Sequence, residues 1–119
     1  MKSILGSQPD FRVVGDAGTC AEGLAAVRAT HPDLVITDMD LPDSTGLTLI
    51  PDLKAFDDCI KIIVLTSRCT TELVRAALEA GANGYVRKDA RPSELIEGIR
   101  TVVQGERFLS ANVLSVISL

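Results

Sequence analysis

LVITDMDLPDSTG, residues 34–46, begins as a β strand and ends as a turn. Leu34, Val35 and Ile36 run through Thr37 into Asp38, and a second carboxylate, Asp40, follows two positions on. Leu41 and Pro42 then lead into a turn-like string that closes at Gly46. A strand that finishes in a carboxylate where the chain must turn has two readings. Asp38 is either a solvated strand end or a group held there for chemistry.

Outward from this stretch, strands and helices alternate. Residues 1–8 read as the end of a helix, with Met1, Ile4 and Leu5 on one face, and Phe11 to Val14 as a short strand. Thr19-Cys20-Ala21-Glu22 is a capping box, opening a helix that His31-Pro32 stops near Thr30. Leu47, Ile50 and Leu53 have helical spacing, but Pro51 falls in the second turn, where an interior proline costs about 3 kcal/mol. The helix is therefore expected to be kinked, late-starting or partly irregular. Residues 60–65 (IKIIVL) are apolar enough for a central parallel strand. Glu72 to Ala80 reads as a helix with Leu73, Ala77 and Leu78 inward and Gly81 as its stop. Gly84 to Arg87 is a strand. Pro92 opens a helix carrying Leu95, Ile96, Ile99, Val102 and Val103 inward and ending at Gly105, with Arg91 as a weak cap. Ser110 is placed to cap a short last helix through Val113, Leu114 and Ile117. Such alternation means βαβ units around a parallel sheet.

Composition narrows the function. The 119 residues fit one domain, and 46% hydrophobic residues supply a core. Aromatics are only 3%, which offers no stacking platform for bases, and a formal charge of -4 is the wrong sign for nucleic acid or an anionic membrane. Cys20, Cys59 and Cys69 are odd in number and widely spaced, which fits packing residues in a reducing cytoplasm better than a disulfide framework. The start, with an apolar core of only Ile4 and Leu5, reads as too short for a signal peptide, and no membrane-spanning run, repeat or internal linker is found in the sequence. Gly15 and Gly18 make only a poor dinucleotide fingerprint, and His31 reads as helix-end surface.

In open parallel sheets, sites form at the carboxyl ends of the strands. There the sequence places Asp38, then Thr66-Ser67, then Lys88. Singly, each is ordinary: a turn hydroxyl, a surface lysine, a solvated carboxylate. Together they suit one task, in which a carboxylate takes a group carrying negative oxygens while a lysine and a hydroxyl bind those oxygens. Carboxylates are known nucleophiles for phosphoryl groups, and with an ordinary pKa of about 3.9 an aspartate needs no base.

The blocks PDFRVVGDA, HPDLVITDMDLPDSTGL, IIVLTS, AALEAGANGYVRKDA and ELIEGIRTVVQGERFLS follow one another along nearly the whole chain. In them the chain resembles a response-regulator receiver domain of the NarL/FixJ kind, which usually precedes a LuxR-type helix-turn-helix. The resemblance implies a flavodoxin-like parallel sheet with helices on both faces. It also implies that Asp38 is the phosphoacceptor, Thr66 the switch hydroxyl, Tyr85 the switch aromatic and Lys88 the phosphate partner. Magnesium would be the cofactor, with Asp38 and the backbone carbonyl of Asp40 among its ligands. A sensor histidine kinase would be the partner, in the cytoplasm.

The chain also departs from the family pattern. The family's first strand, ending in the acidic pair that holds magnesium, is missing, and MKSILGSQ matches only the back half of the helix that follows. Three arrangements remain open: a four-stranded sheet with residues 11–14 moved in beside 34–38, a sheet completed by a partner chain, or a fragment of a longer receiver. A dimer is expected over a monomer. Magnesium takes about six oxygens, so Asp38 and one carbonyl alone would hold it weakly. Asp16 either substitutes for the missing pair or is a solvated loop carboxylate.

Two function classes follow. In the first, residues 1–109 are a receiver domain that takes a phosphoryl group on Asp38 from the kinase. It then switches a partner or output in transcription regulation, and its enzymology is at most magnesium-dependent phosphoacceptance with autophosphatase activity. In the second, a degenerate receiver works as a phosphorylation-independent dimerisation or protein-binding module. Residues 110–119 read as a tail. No direct contact with nucleic acid or membrane is expected of this chain.

Overall fold

The computed structural model describes residues 19–38, 46–67 and 70–110. Along them run α1 (Cys20–Thr30), β1 (Leu34–Thr37), α2 (Gly46–Phe56), β2 (Lys61–Thr66), α3 (Thr71–Ala80), β3 (Gly84–Arg87), α4 (Pro92–Val103) and β4 (Phe108–Leu109). The expected helix at 1–8, the strand at 11–14, the last helix beyond Ser110, and Gly15, Asp16, Gly18, Asp40 and Cys69 all lie outside the described residues.

The four strands form one parallel sheet in the order β1-β2-β3-β4. Leu34 pairs with Lys61 and Thr37 with Val64, Ile63 pairs with Gly84 and Thr66 with Arg87, and Gly84 pairs with Phe108. Three of these strands are those expected near 34–38, 60–65 and 84–87, and the fourth among the described residues is Phe108–Leu109, which hydrophobic patterning did not reveal.

Side-chain alternation along the strands divides the core in two. Ile62, Val64 and Tyr85 join Val27, Leu49, Ile50, Leu53, Val74 and Ala77 from α1, α2 and α3 on one face. Ile63, Leu65 and Val86 join Leu95, Ile99 and Val102 from α4 on the other. Burial on both faces is why β2 is almost wholly apolar. It also fixes the inward stripe of α4 as Leu95, Gly98, Ile99 and Val102. Ile96 is only half-buried, and Val103, expected inward, is 54% exposed because it stands one residue past the stripe.

The helix ends obey local chemistry. The Glu22 amide donates to Thr19 Oγ1 (3.1 Å), and the Leu73 amide donates likewise to Thr70 Oγ1 (3.2 Å). Arg91 caps α4 with no side-chain hydrogen bond, and Pro92 takes the first turn, where no amide is needed. Gly81 stops α3 at φ 121°, a conformation costly for any other residue.

Pro51 does not break α2. The helix is uninterrupted from Gly46 to Phe56, neither late-starting nor irregular. Pro51 lies on its exposed side while Leu49, Ile50 and Leu53 are buried, so water can satisfy the carbonyl that proline leaves without a donor. Burial of those three side chains, roughly 1.5–3 kcal/mol each, outweighs the proline penalty.

At the amino ends of β2 and β3, Asn83 ties three segments together. Its amide donates to Ile62 O (2.8 Å), and its Oδ1 accepts from Ile62 N (2.9 Å) and from Lys54 Nζ (3.3 Å). Lys54 Nζ also donates to Ile60 O at 2.6 Å. Burial, helped by the charge of Lys61, holds the Lys54 ammonium below the ordinary lysine value of 10.5.

Two predictions follow from this chemistry. Thr70→Ala should cost about 1 kcal/mol in urea unfolding, whereas Arg91→Ser should gain about 0.5–1 kcal/mol by supplying the missing cap. Lys54 should show in the pH dependence of stability. Between its lowered value and 10.5 the unfolded chain binds more protons than the folded one, so stability rises with pH across that window. In Lys54→Met the slope there should be smaller, and equal slopes would remove Lys54 from the account.

Candidate functional site

β1 ends at Thr37 and delivers Asp38 at its carboxyl end. The Thr37 hydroxyl donates to the Asp38 carbonyl (3.1 Å), which steadies the peptide as the chain leaves the sheet. Across the end of β2, Lys88 Nζ meets Asp38 Oδ2 in an ion pair joining residues 50 positions apart. Both side chains are partly open to solvent, Asp38 at 28% and Lys88 at 51%. By alternation, Lys88 is in step with Val86 and Asp38 with Ile36, both on the α4 face, so the pair closes over the end of β2 on that side.

Lys88 is aimed by its backbone. Its amide donates to Thr66 O (3.0 Å), the last carbonyl of β2, and the Ala90 amide donates to Arg87 O (3.0 Å), closing a turn with Lys88 at its first corner. Arg87 reaches Asp89 Oδ2 through a terminal guanidinium nitrogen at 3.3 Å, while its buried Nε has no hydrogen-bond partner.

Thr66 and Tyr85 are both fully buried. They share the face that carries α3, with Tyr85 paired to Val64, one step short of Thr66. Tyr85, marked by the resemblance as the switch aromatic, lies wholly within the core. Thr66 and Tyr85 are inside, and Lys88 is drawn to Asp38. His31 is exposed, as expected, and closes α1 in a left-handed conformation stacked on Phe56. Cys59 is not a packing residue; it is exposed.

The structure thus brings Asp38 and Lys88 into contact and sets Thr66 beside them through the backbone bond to Lys88. Chemically, this is an anionic nucleophile with a cation placed to take the negative charge of an incoming group. As a magnesium site the described residues are poor. Asp38 Oδ2 holds Lys88, Asp89 is turned to Arg87, and the acidic residues that do cluster, Asp57 and Asp58 with Cys59, lie at the opposite end of β2. These residues do not make up the roughly six oxygens magnesium takes.

Asn83 and Ser110, which hold β3 at its two ends, were not legible as such. Asn83 looks like any residue before a strand, and Ser110 like the cap of a following helix.

A two-sided parallel sheet with an acid–base pair at its carboxyl end is a flavodoxin-like α/β domain. Within that class, the family model for the response regulator receiver domain matches residues 1–100, and the chain belongs to that family. The DNA-binding transcriptional activator DevR/DosR of Mycobacterium tuberculosis is 39% identical over 106 residues, 89% of this chain and 49% of that protein. The nitrate/nitrite response regulator protein NarL of Escherichia coli (strain K12) is 30% identical over 118 residues, 99% of this chain and 55% of that protein. The crystal structure of a LuxR-family two-component response regulator from Aurantimonas sp. SI85-9A1 matches with a TM-score of 0.93 at 29% identity, covering 98% of this chain and 83% of that one. The chain spans about half the length of the curated relatives it matches. Receiver domains in general bind magnesium at an acidic pocket and interact with sensor histidine kinases. No helix among the described residues is long and apolar enough to cross a membrane.

The Asp38–Lys88 pair is half-exposed, so its worth to folding is small, about 0–1 kcal/mol. Lys88→Met should therefore change the free energy of unfolding by no more than about 1 kcal/mol in a denaturant titration. A much larger loss would make Lys88 a structural residue.

Proposed function

We propose that this receiver domain accepts a phosphoryl group on Asp38 from the phosphohistidine of a sensor kinase, and so controls an output in transcription. An Asp38 carboxylate oxygen bonds to phosphorus, the bond from phosphorus to the donor imidazole nitrogen breaks, and the imidazole leaves with a proton. Lys88 shifts from the free carboxylate to the new phosphoryl oxygens, and the hydroxyl of Thr66 supplies a second donor. Tyr85 shares the face of Thr66 and carries the change to the surface of α3 and β3, a local electrostatic bias on a two-state element.

The observation that carries this reading is the Asp38–Lys88 ion pair, set over the Thr66 carbonyl that holds the Lys88 amide. It favours a working phosphoacceptor over a binding module that has lost its chemistry. The names of the relatives, a transcriptional activator and a nitrate/nitrite response regulator, suggest the output. Residues 1–109 would form the receiver and residues 110–119 lead onward. An exposed thiol at Cys59 agrees with a reducing cytoplasm. Self-association belongs to the same proposal, and light scattering should show a dimer.

The test is intact mass after incubation with magnesium and acetyl phosphate, beside Asp38→Asn and Lys88→Ala. The wild-type chain should gain one phosphoryl group, Asp38→Asn none, and Lys88→Ala should gain it more slowly. No gain by the wild type would overturn phosphoacceptance and leave the binding module as the function.

A further inference from the structure

β3 is held along both edges, and the hold on its outer edge ends in a side chain. In a parallel pair the bonds of one strand alternate between its two neighbours. Along β3, Asn83 O accepts from Phe108 N (3.1 Å) and Tyr85 O accepts from Ser110 N (3.2 Å), both toward β4. Lys88 N turns the other way, toward Thr66 O on β2. The Arg87 amide faces β4 again, but β4 has ended at Leu109. There the amide donates to Ser110 Oγ at 3.4 Å. Ser110 therefore grips β3 twice, by its own amide at Tyr85 and by its hydroxyl at Arg87, and it is fully buried.

The segment carrying Ser110 is itself anchored. Phe108 lies against Gly98 of α4, where even a single added carbon would come within 2.7 Å of the ring. Only a glycine lets the ring approach the helix this closely. Ser110 is thus tied through Phe108 to α4 and through its own bonds to the last residues of β3.

We infer that Ser110 is a positioning residue for the Asp38 site: its buried hydroxyl closes the open edge of β3 by accepting from the Arg87 amide, and so fixes the Val86–Arg87 peptide that leads into Lys88. The inference rests on the phosphoacceptor reading above. Lys88 is attached to the sheet by its amide, bonded to β2, while its side chain reaches across to Asp38. Arg87 is then held on both sides of its α-carbon, the Val86–Arg87 peptide by Ser110 Oγ beyond β4 and the Arg87–Lys88 peptide by Thr66 O on β2. Without the hydroxyl, the Arg87 amide loses its partner, and the turn from Arg87 to Ala90 can rotate about the remaining bond. The ammonium then spends less time against Asp38.

The test compares Ser110→Ala and Ser110→Thr with wild type in the full chain, by amide hydrogen exchange and by phosphoryl uptake from acetyl phosphate. In Ser110→Ala, exchange at the Arg87 amide should quicken about ten-fold, while Ile63 and Val64 keep their protection and report an intact sheet. Uptake should slow by about ten-fold, because small misplacements of a charge at a reacting centre are costly. Ser110→Thr, which keeps the hydroxyl, should restore both. In a Lys88→Ala background, Ser110→Ala should slow uptake no further, since it acts through Lys88.

A slowing that adds in full to that of Lys88→Ala would overturn the inference, as would unchanged uptake or unchanged Arg87 exchange in Ser110→Ala. Failure of Ser110→Thr to rescue with the sheet still protected would do the same. Absence of uptake in the wild type would overturn the phosphoacceptor reading and this inference together, and is distinguished by that control alone.

Discussion

Burial of β2 on both faces is the constraint from which the rest of the domain follows. A six-residue strand with Ile62 and Val64 turned one way and Ile63 and Leu65 the other cannot slip by one residue without exchanging two packed cores. That lock fixes β1 on one side and β3 on the other, and with them the level at which each strand stops. Asp38 and Lys88 come together because two neighbours of a register-locked strand end at nearly the same height. Their own attraction is too weak, in so exposed a place, to organise anything.

Much of this could be read from sequence, for identifiable reasons. A strand apolar at nearly every position, helices with apolar residues three and four apart, and the stops at His31-Pro32 and Gly81 are local signals, and they place the longer described elements within a residue or two. The carboxylate and the ammonium at strand ends were legible because strand ends are where chemistry collects in parallel sheets. Phe108–Leu109 was not, since two residues carry no period. Val103 was misplaced because it stands one residue past the Leu95–Gly98–Ile99–Val102 stripe, and its residue type does not show where that stripe ends. Pro51 was read by its intrinsic cost, and burial of Ile50 and Leu53 beside it overrode that cost. Cys59 was placed in the core by residue type alone, but it stands in the exposed Asp57–Asp58–Cys59 turn. Asn83 and Ser110 act through long-range bonds that leave no trace in their neighbours.

The two ends of the sheet serve different purposes. At the amino end, Asn83, Lys54 and the carbonyl of Ile60 satisfy one another in a partly buried network that makes the start of β2 and β3 rigid. At the carboxyl end, groups are left half in water, where an incoming anion can compete for them. A site that must exchange one partner for another has little use for bonds that are hard to break.

Tyr85 has an optical consequence. The chain has one tyrosine and no tryptophan, and that tyrosine is fully buried in the strand that leads to Lys88. Near-ultraviolet absorption, circular dichroism and intrinsic fluorescence of the whole molecule are therefore dominated by a single ring against Val64, with three phenylalanines adding only a faint background. Any rearrangement of β3 changes that ring's surroundings, and an unlabelled sample in a cuvette reports it.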